Sequence, residues 1–294
     1  MKPATAVVDI HRTFKVYTEF YANPSARKTI ILINGSLATT AAFAQTIKYL
    51  QPQFNVVLYD QPYAGQSKPH NSHSRPISKE DEATILLELI EQFQVDYLLS
   101  FSWGGVAAML ALAQRPARIE KAVITSFSPL LNAPMLDYLE KGMTYLNAID
   151  GEKVGQLVNS TIGKYLPSLF KRYNHRHISS LDSHEYLQLH AHINQVVHMD
   201  NHCQMECLAA IDIPLLFING EHDEYTSPDD VRLFAEYLSD CQFATIDNTG
   251  HFLDMEHKKA WLQSQSVMLK FLQAPARISS SNRPQHDLHH AIAV

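Results

Sequence analysis

The run Leu98-Leu99-Ser100-Phe101-Ser102-Trp103-Gly104-Gly105 is apolar until it stops at a serine with small residues two places to either side. Where a strand turns directly into a helix through such a bend, the serine is held at a strained corner with its hydroxyl exposed above a parallel sheet. The common spelling is Gly-x-Ser-x-Gly, and here it reads Ser-x-Ser-x-Gly. Small residues are required because the two backbones nearly touch at the corner, and Ser100 exceeds glycine by one hydroxymethyl group. So short a pattern also arises by chance, and a serine at a helix start is equally a cap. The flanking chain therefore decides what Ser102 is for.

On both sides of this run strands and helices alternate. Val7, Val8 and Ile10, then Phe14, Val16, Tyr17 and Phe20, predict an antiparallel hairpin at a sheet edge. Thr29-Ile30-Ile31-Leu32-Ile33-Asn34 and Asn55-Val56-Val57-Leu58-Tyr59-Asp60 have the unbroken apolar character of strands buried on both faces. Between them Ala42, Phe43, Ile47 and Leu50 keep helical spacing. Ser78-Lys79-Glu80-Asp81 has the form of a capping box and opens a helix bearing Leu86, Leu87, Ile90 and Phe93. A strand over residues 95–99 precedes Ser102, a buried helix over 103–113 follows it, and residues 121–127 form a further strand. This order implies right-handed crossovers and a mostly parallel sheet flanked by helices. From residue 128 to 210 only helical spacing remains, in the groups Leu136 to Leu146, Val154 to Ile162 and Leu189 to Val197. The alternation resumes with a strand at 213–220, a helix near 229–238, a strand near 241–246 and a last helix over 257–272. The expected organisation is an α/β core of residues 1–127 and 211–273, a helical lid inserted at 128–210, and a mobile tail from 274 to 294, rich in Ser, Arg, Pro and His.

With 294 residues, 46% of them hydrophobic, the chain can bury the core of one large α/β domain with an insertion. A formal net charge of -6 argues against a general nucleic-acid binder, which needs clustered Lys and Arg. Cys203, Cys207 and Cys241 are odd in number and lack disulfide-framework spacing, which fits a reducing compartment. The start lacks a stretch of signal-peptide length, and no window approaches the roughly 18 apolar residues of a membrane span. A cytoplasmic protein is expected.

Ser102, Asp223 and His251 all fall where strands end, and the carboxyl ends of parallel strands converge on one crevice. Serine, acid, histidine is also the chain order of α/β-hydrolases. A neutral hydroxyl is a poor nucleophile, so an imidazole must take its proton and a carboxylate must orient that imidazole. Glu221 and Glu224, in the same acidic run, are rivals to Asp223 for the third part. Backbone N–H groups for an oxyanion are expected from Trp103, the residue after the nucleophile, and from Ser36 or Leu37 in the turn after Asn34-Gly35. Asn34 either shapes that turn or caps it.

Other motifs compete for attention. The chain has 16 histidines, and His198, His202, Cys203 and Cys207 lie near one another in sequence, but they spell no recognised tetrahedral set, so no metal is expected. His177 and Asp182 match a His-x4-Asp acyltransferase pattern, yet a five-residue step on a helix turns the second side chain away by about 140°. Residues 163–177 hold Lys164, Lys171, Arg172 and Arg176 with aromatics between them and no acid. In an acidic protein this is a local positive patch, suited to an acidic carrier protein or a phosphate-bearing cofactor, or simply a solvated helix face.

Several stretches together carry a family resemblance. Asn34 to Thr40, Phe54 to Tyr63, Ser102-Trp103-Gly104-Gly105, Ser179 to Tyr186, Ile218-Asn219-Gly220 with Asp223-Glu224-Tyr225-Thr226, and Gly250 to Asp254 resemble the PhaG-type (R)-3-hydroxyacyl-ACP:CoA transacylases of the α/β-hydrolase superfamily. The RhlA-type synthases, which join two 3-hydroxyacyl chains, are near relatives of that family. The resemblance implies an α/β-hydrolase fold and transfer of a medium-chain (R)-3-hydroxyacyl group from acyl carrier protein to CoA, feeding polyhydroxyalkanoate synthesis. CoA would be a co-substrate, with no cofactor permanently bound. Exchange between two thioesters of the same arm is nearly thermoneutral while hydrolysis runs strongly downhill, so a transacylase must exclude water with its lid. Hydrolysis to the free 3-hydroxy acid and condensation of two acyl chains are the alternatives within this chemistry. A catalytically silent acyl-binding fold is the alternative outside it, and the retained Ser102, Asp223 and His251 argue against that.

Overall fold

The continuous apolar runs become the middle of one sheet. The computed structural model describes residues 2–199, 205 and 207–275. Its strands are β1 (Ala4–Ile10), β2 (Phe14–Tyr21), β3 (Thr29–Ile33), β4 (Asn55–Tyr59), β5 (Tyr97–Phe101), β6 (Lys121–Thr125), β7 (Leu215–Gly220) and β8 (Cys241–Ile246). The helices are α1 (Ile47–Leu50), α2 (Lys79–Gln92), α3 (Gly104–Ala113), α4 (Ala133–Asn147), α5 (Gly151–Ser160), α6 (Ser168–Ser179), α7 (Ser183–His198) and α8 (Lys258–Gln273). The sheet has eight strands in the order β1-β2-β4-β3-β5-β6-β7-β8. It is antiparallel at the hairpin edge, β1/β2 and β2/β4, and parallel from β4 to β8.

Alternating side chains explain why these strands have no polar face. Ile31 and Ile33 pack with α2 and α3 on one side of the sheet, and Ile30 and Leu32 pack with α1 and α8 on the other. Val57 and Tyr59 of β4, and Phe217 of β7, join the first layer, while Val56, Leu58 and Ile218 join the second. Because β5 lies beside β3 on the side away from β4, the winding reverses there, and the crevice of an open parallel sheet forms at that reversal. Ser102 follows β5 and Asn34 follows β3, so both stand at its mouth.

Two expected helices differ in form. The segment around 42–50 is a 3-10 turn, Thr40–Phe43, followed by the single turn α1. Its entry is fixed from outside: the buried Asp60 carboxylate accepts the Thr40 N–H at 2.8 Å. The segment near 229–238 is a 3-10 helix, Asp230–Glu236, whose buried Val231 and Phe234 stand three apart, the spacing that returns to one side at three residues per turn. The capping box at α2 forms as expected, with Ser78 Oγ accepting from Asp81 N and the Asp81 carboxylate accepting from Ser78 N.

Between β6 and β7 the described residues supply α4 to α7 and no strand. Met135, Leu139 and Leu146 of α4, Val154 and Val158 of α5, and Tyr186 and Ile193 of α7 gather over Trp103 and Tyr225, which roofs the crevice. A polar seam ties α7 to the core. Gln188 accepts from Ile77 N and donates to Ile77 O, and His192 Nε2 lies 2.7 Å from the same carbonyl. Beneath it the buried Lys79 Nζ meets the buried Glu82 at 2.8 Å, and the half-buried Tyr63 donates from Oη to Glu82 at 2.7 Å. The buried Lys121 ammonium donates to the carbonyls of Phe271, Leu272 and Ala274, which ties the end of α8 to the core. Residues 276–294 lie outside the described residues, as do His202 and Cys203 of the histidine-cysteine group. Among the described residues no helix is long and apolar enough to cross a membrane.

Candidate active site

The corner at Ser102 has the backbone its sequence demands. Ser102 adopts φ +52°, a left-handed conformation that an L-residue holds only under constraint. A Cβ on Gly104 would stand 2.5 Å from the Asn34 carbonyl oxygen, and one on Gly105 would stand 2.7 Å from the Phe127 ring. Glycine at 104 lets α3 start against the end of β3, and glycine at 105 lets it pass the Phe127 ring that follows β6. Ser100 is wholly buried and its Oγ has no hydrogen-bond partner, so the extra hydroxymethyl fits sterically at the cost of a lone polar atom.

The structure brings Ser102, His251 and Asp223 into one hydrogen-bonded line. His251 Nε2 lies 3.0 Å from Ser102 Oγ, and His251 Nδ1 lies 2.8 Å from Asp223 Oδ2. An ionised carboxylate only accepts, so Nδ1–H donates to Asp223 and bare Nε2 accepts from the serine hydroxyl. Asp223 and His251 are both 3% exposed. Burial alone pushes the Asp223 carboxyl up, but the His251 imidazole and hydrogen bonds from Thr226 outweigh it and hold the group below its ordinary value. Thr226 Oγ1 donates to Asp223 Oδ2 at 2.6 Å, while the N–H groups of Tyr225 and Thr226 donate to Oδ1. The rival acids are engaged elsewhere: Glu221 accepts from Asn248 N and Glu224 pairs with Lys164 at 2.9 Å.

Several residues that the sequence did not single out fix this line. Ser126, itself at φ +51°, donates from Oγ to the His251 carbonyl at 2.6 Å. The buried Glu256 carboxylate accepts from Gly250 N at 2.7 Å and Phe252 N at 3.0 Å, clamping the loop on both sides of His251. Asn219 donates to the carbonyls of Phe127 and Thr226 and so anchors the loop of the acid. An acid a few residues past Gly250-His251 in a short turn was the available signal for Glu256. Ser126 and Asn219 act on backbone carbonyls and leave no such mark.

Facing Ser102 is the turn after β3. The Gly35 carbonyl accepts from Ala38 N, with Leu37 at φ +60° within the turn. The N–H groups of Ser36, Leu37 and Trp103 are taken by no acceptor among the described residues. They are therefore free to receive a developing negative charge. Asn34 donates from Nδ2 to the Tyr59 carbonyl at 3.2 Å, tying the turn to β4. His177, reaching in from the lid helix α6, lies with Nε2 at 2.7 Å from the Leu37 carbonyl oxygen. Its His-x4-Asp partner is not there: Asp182 caps α7 and pairs with Lys68 at 2.6 Å. Among the described residues only Asp182, His184 and Glu185 gather enough ligand atoms for a metal ion, and Lys68 already bridges the two carboxylates. Of the basic patch, Lys164 is neutralised by Glu224 and Lys171 Nζ donates to the Lys164 carbonyl, whereas Arg172 and Arg176 are exposed.

Known proteins are similar to this chain in sequence and in fold. The alpha/beta hydrolase fold family model matches residues 28–258. A protein of Pseudomonas aeruginosa named (R)-3-hydroxydecanoyl-ACP:CoA transacylase is 59% identical over 288 residues, covering 97% of this chain and 96% of its own. One of the same name from Pseudomonas putida is 57% identical over the full length of both chains. Among solved structures, a hydrolase of Pseudomonas aeruginosa superposes with a TM-score of 0.75 over 92% of this chain and 98% of its own, at 19% identity. An enol-lactonase of Burkholderia xenovorans also gives 0.75, at 15% identity, over 92% of this chain and 100% of its own.

Proposed function

The chain belongs to the α/β-hydrolase fold family, and we propose that it moves a medium-chain (R)-3-hydroxyacyl group from acyl carrier protein to CoA through an ester on Ser102. The observation that carries this reading is the Ser102–His251–Asp223 line in a chain similar end to end to named transacylases. The acyl carrier thioester and CoA are its two substrates, met in the cytoplasm.

Ser102 Oγ attacks the thioester carbonyl carbon while His251 Nε2 takes the hydroxyl proton. Asp223 holds the resulting imidazolium in orientation and stabilises its charge. The tetrahedral oxyanion is met by the N–H of Trp103 and by that of Ser36 or Leu37. Collapse breaks the C–S bond, the leaving sulfur takes the proton from His251, and carrier thiol departs from acyl-Ser102. In the second half His251 deprotonates the CoA thiol, its sulfur attacks the ester, and Ser102 leaves with the proton. Both halves use the same groups, as near-equal thioester energies require. The apolar roof of α4, α5 and α7 over Trp103 keeps water from taking the place of CoA.

The intermediate tests the reading directly. Mixing the protein with (R)-3-hydroxydecanoyl carrier protein in the absence of CoA, quenching in acid and mapping peptides by mass is expected to find the acyl group on the Ser102 peptide. Ser102→Ala should carry none and should lose at least about 10⁴-fold in turnover. An adduct elsewhere, or turnover that survives the substitution, would overturn the serine mechanism.

A further inference from the structure

The outward face of α6 is not used by the site. Leu169, Arg172, Tyr173 and Arg176 stand at i, i+3, i+4 and i+7 and so form one stripe along a helix of 12 residues. All four are exposed, Leu169 by 50% and Tyr173 by 58%. The opposite face is committed to the protein: Asn174 donates to Asn159, His177 meets the Leu37 carbonyl, and Ile178 is buried. Tyrosine and arginine alternating on an exposed face are the side chains enriched where proteins meet. Neither arginine pairs with a carboxylate among the described residues. The back of this helix borders the loop of His251 near its start and the turn of Leu37 near its end. Just before it, the Tyr165 ring lies 5.9 Å from that of His222, and a Cβ on Gly250 would stand 2.5 Å from Tyr165. Gly250 directly precedes His251.

We infer that this stripe is the docking surface for the acyl carrier protein, taken here as an acidic partner whose carboxylates flank a small apolar patch. The inference rests on the function proposed above. Charge complementarity chooses the occupant: residues 163–177 carry four Lys or Arg and no acid in a chain of net charge -6. Among the described residues only Lys164 of the four is paired with a carboxylate, that of Glu224, so Lys171, Arg172 and Arg176 still attract an acidic protein that the remainder repels. The shape distinguishes it from a CoA phosphate site. Phosphates are gripped where donors converge in a concavity, whereas this is a convex helix face with Leu169 and Tyr173 between the charges. A carrier seated on it holds its thioester arm beside the loop of His251 and the turn of Leu37.

The test compares one acyl group on two vehicles, (R)-3-hydroxydecanoyl carrier protein and (R)-3-hydroxydecanoyl pantetheine, with CoA as acceptor and the full chain as enzyme. For Arg172→Glu/Arg176→Glu the ratio of carrier-bound to carrier-free kcat/KM is expected to fall about tenfold at low salt and to recover towards that of the unaltered protein in 0.5 M salt. Tyr173→Ala should lower the same ratio without changing its salt dependence, and Arg27→Glu, at the opposite end of the sheet, should leave it alone. A ratio unchanged in the double variant overturns the docking surface. So does an equal fall on both vehicles, which would mean a disturbed site, or a rise confined to the KM of CoA. No carrier-dependent turnover by the unaltered protein would instead overturn the functional reading beneath it.

Discussion

His177 shows how one side chain can be legible in type and misleading in geometry. Its spacing to Asp182 suggests a paired acyltransferase motif, yet the two are separated by the end of α6, and the imidazole instead holds the Leu37 carbonyl at 2.7 Å. Leu37 holds φ +60° under backbone strain, and a hydrogen bond to its carbonyl from α6 restrains the residue whose own N–H is a proposed oxyanion donor. His177→Leu is therefore expected to lower kcat by about 10- to 100-fold with little change in the KM of the acyl donor. His177→Gln, whose amide reaches the same carbonyl, should recover most of the loss; a change confined to KM, or no rescue by glutamine, would contradict a positioning role. Ser102, Asp223 and His251 were readable because their chemistry is unusual and each stands where a strand ends. Ser126 and Glu256 were not, since they act on the carbonyl of His251 and on the N–H groups of Gly250 and Phe252, and a backbone partner far along the chain leaves no pattern in sequence.

The strands were legible for the opposite reason. Each face of β3, β4 and β7 meets a separate helical layer, so an unbroken apolar run is forced and the reading has no rival. Helix α6 was harder, because its outward Leu169, Arg172, Tyr173 and Arg176 mix apolar and charged residues on one face and its buried contribution is essentially Ile178. The seam between α2 and α7 also lay beyond sequence, since it joins residues more than a hundred apart. That seam carries a pH dependence. Burial, followed by the charge of Lys79, lowers the pKa of His192 from 6.5 to about 4 despite the opposing pull of Glu82. A histidine whose folded pKa is lowered is kept neutral by the fold, while the unfolded chain binds its proton first. Stability is thus complete above about pH 6.5 and declines as pH falls towards 4, by about 3 kcal/mol in all. Unfolding midpoints measured between pH 7 and 4 should fall less steeply for His192→Gln than for the unaltered protein; parallel curves would remove His192 as the cause.

In the proposed function the core moves the acyl group, and the helices between β6 and β7 govern what receives it. In the proposed mechanism Ser102, His251 and the free N–H groups would serve an attacking water as readily as a thiol. In this chain α4, α5 and α7 gather as a roof over Trp103 and are locked to the core by the polar seam and by Lys68. The succession of strands along the chain could be anticipated from residue pattern alone. Choice of acceptor could not, because in the proposed mechanism it rests on closure of that roof over an ester, a property of packing between distant elements. The measurement that bears on it is the product of one reaction. Purified protein is given (R)-3-hydroxydecanoyl carrier protein with CoA in excess, and every acyl species is identified by mass spectrometry. Acyl-CoA formed in step with carrier thiol, and absent when Ser102 is alanine, is the predicted result; free 3-hydroxydecanoic acid or a dimeric ester as the main product in the presence of CoA would contradict it.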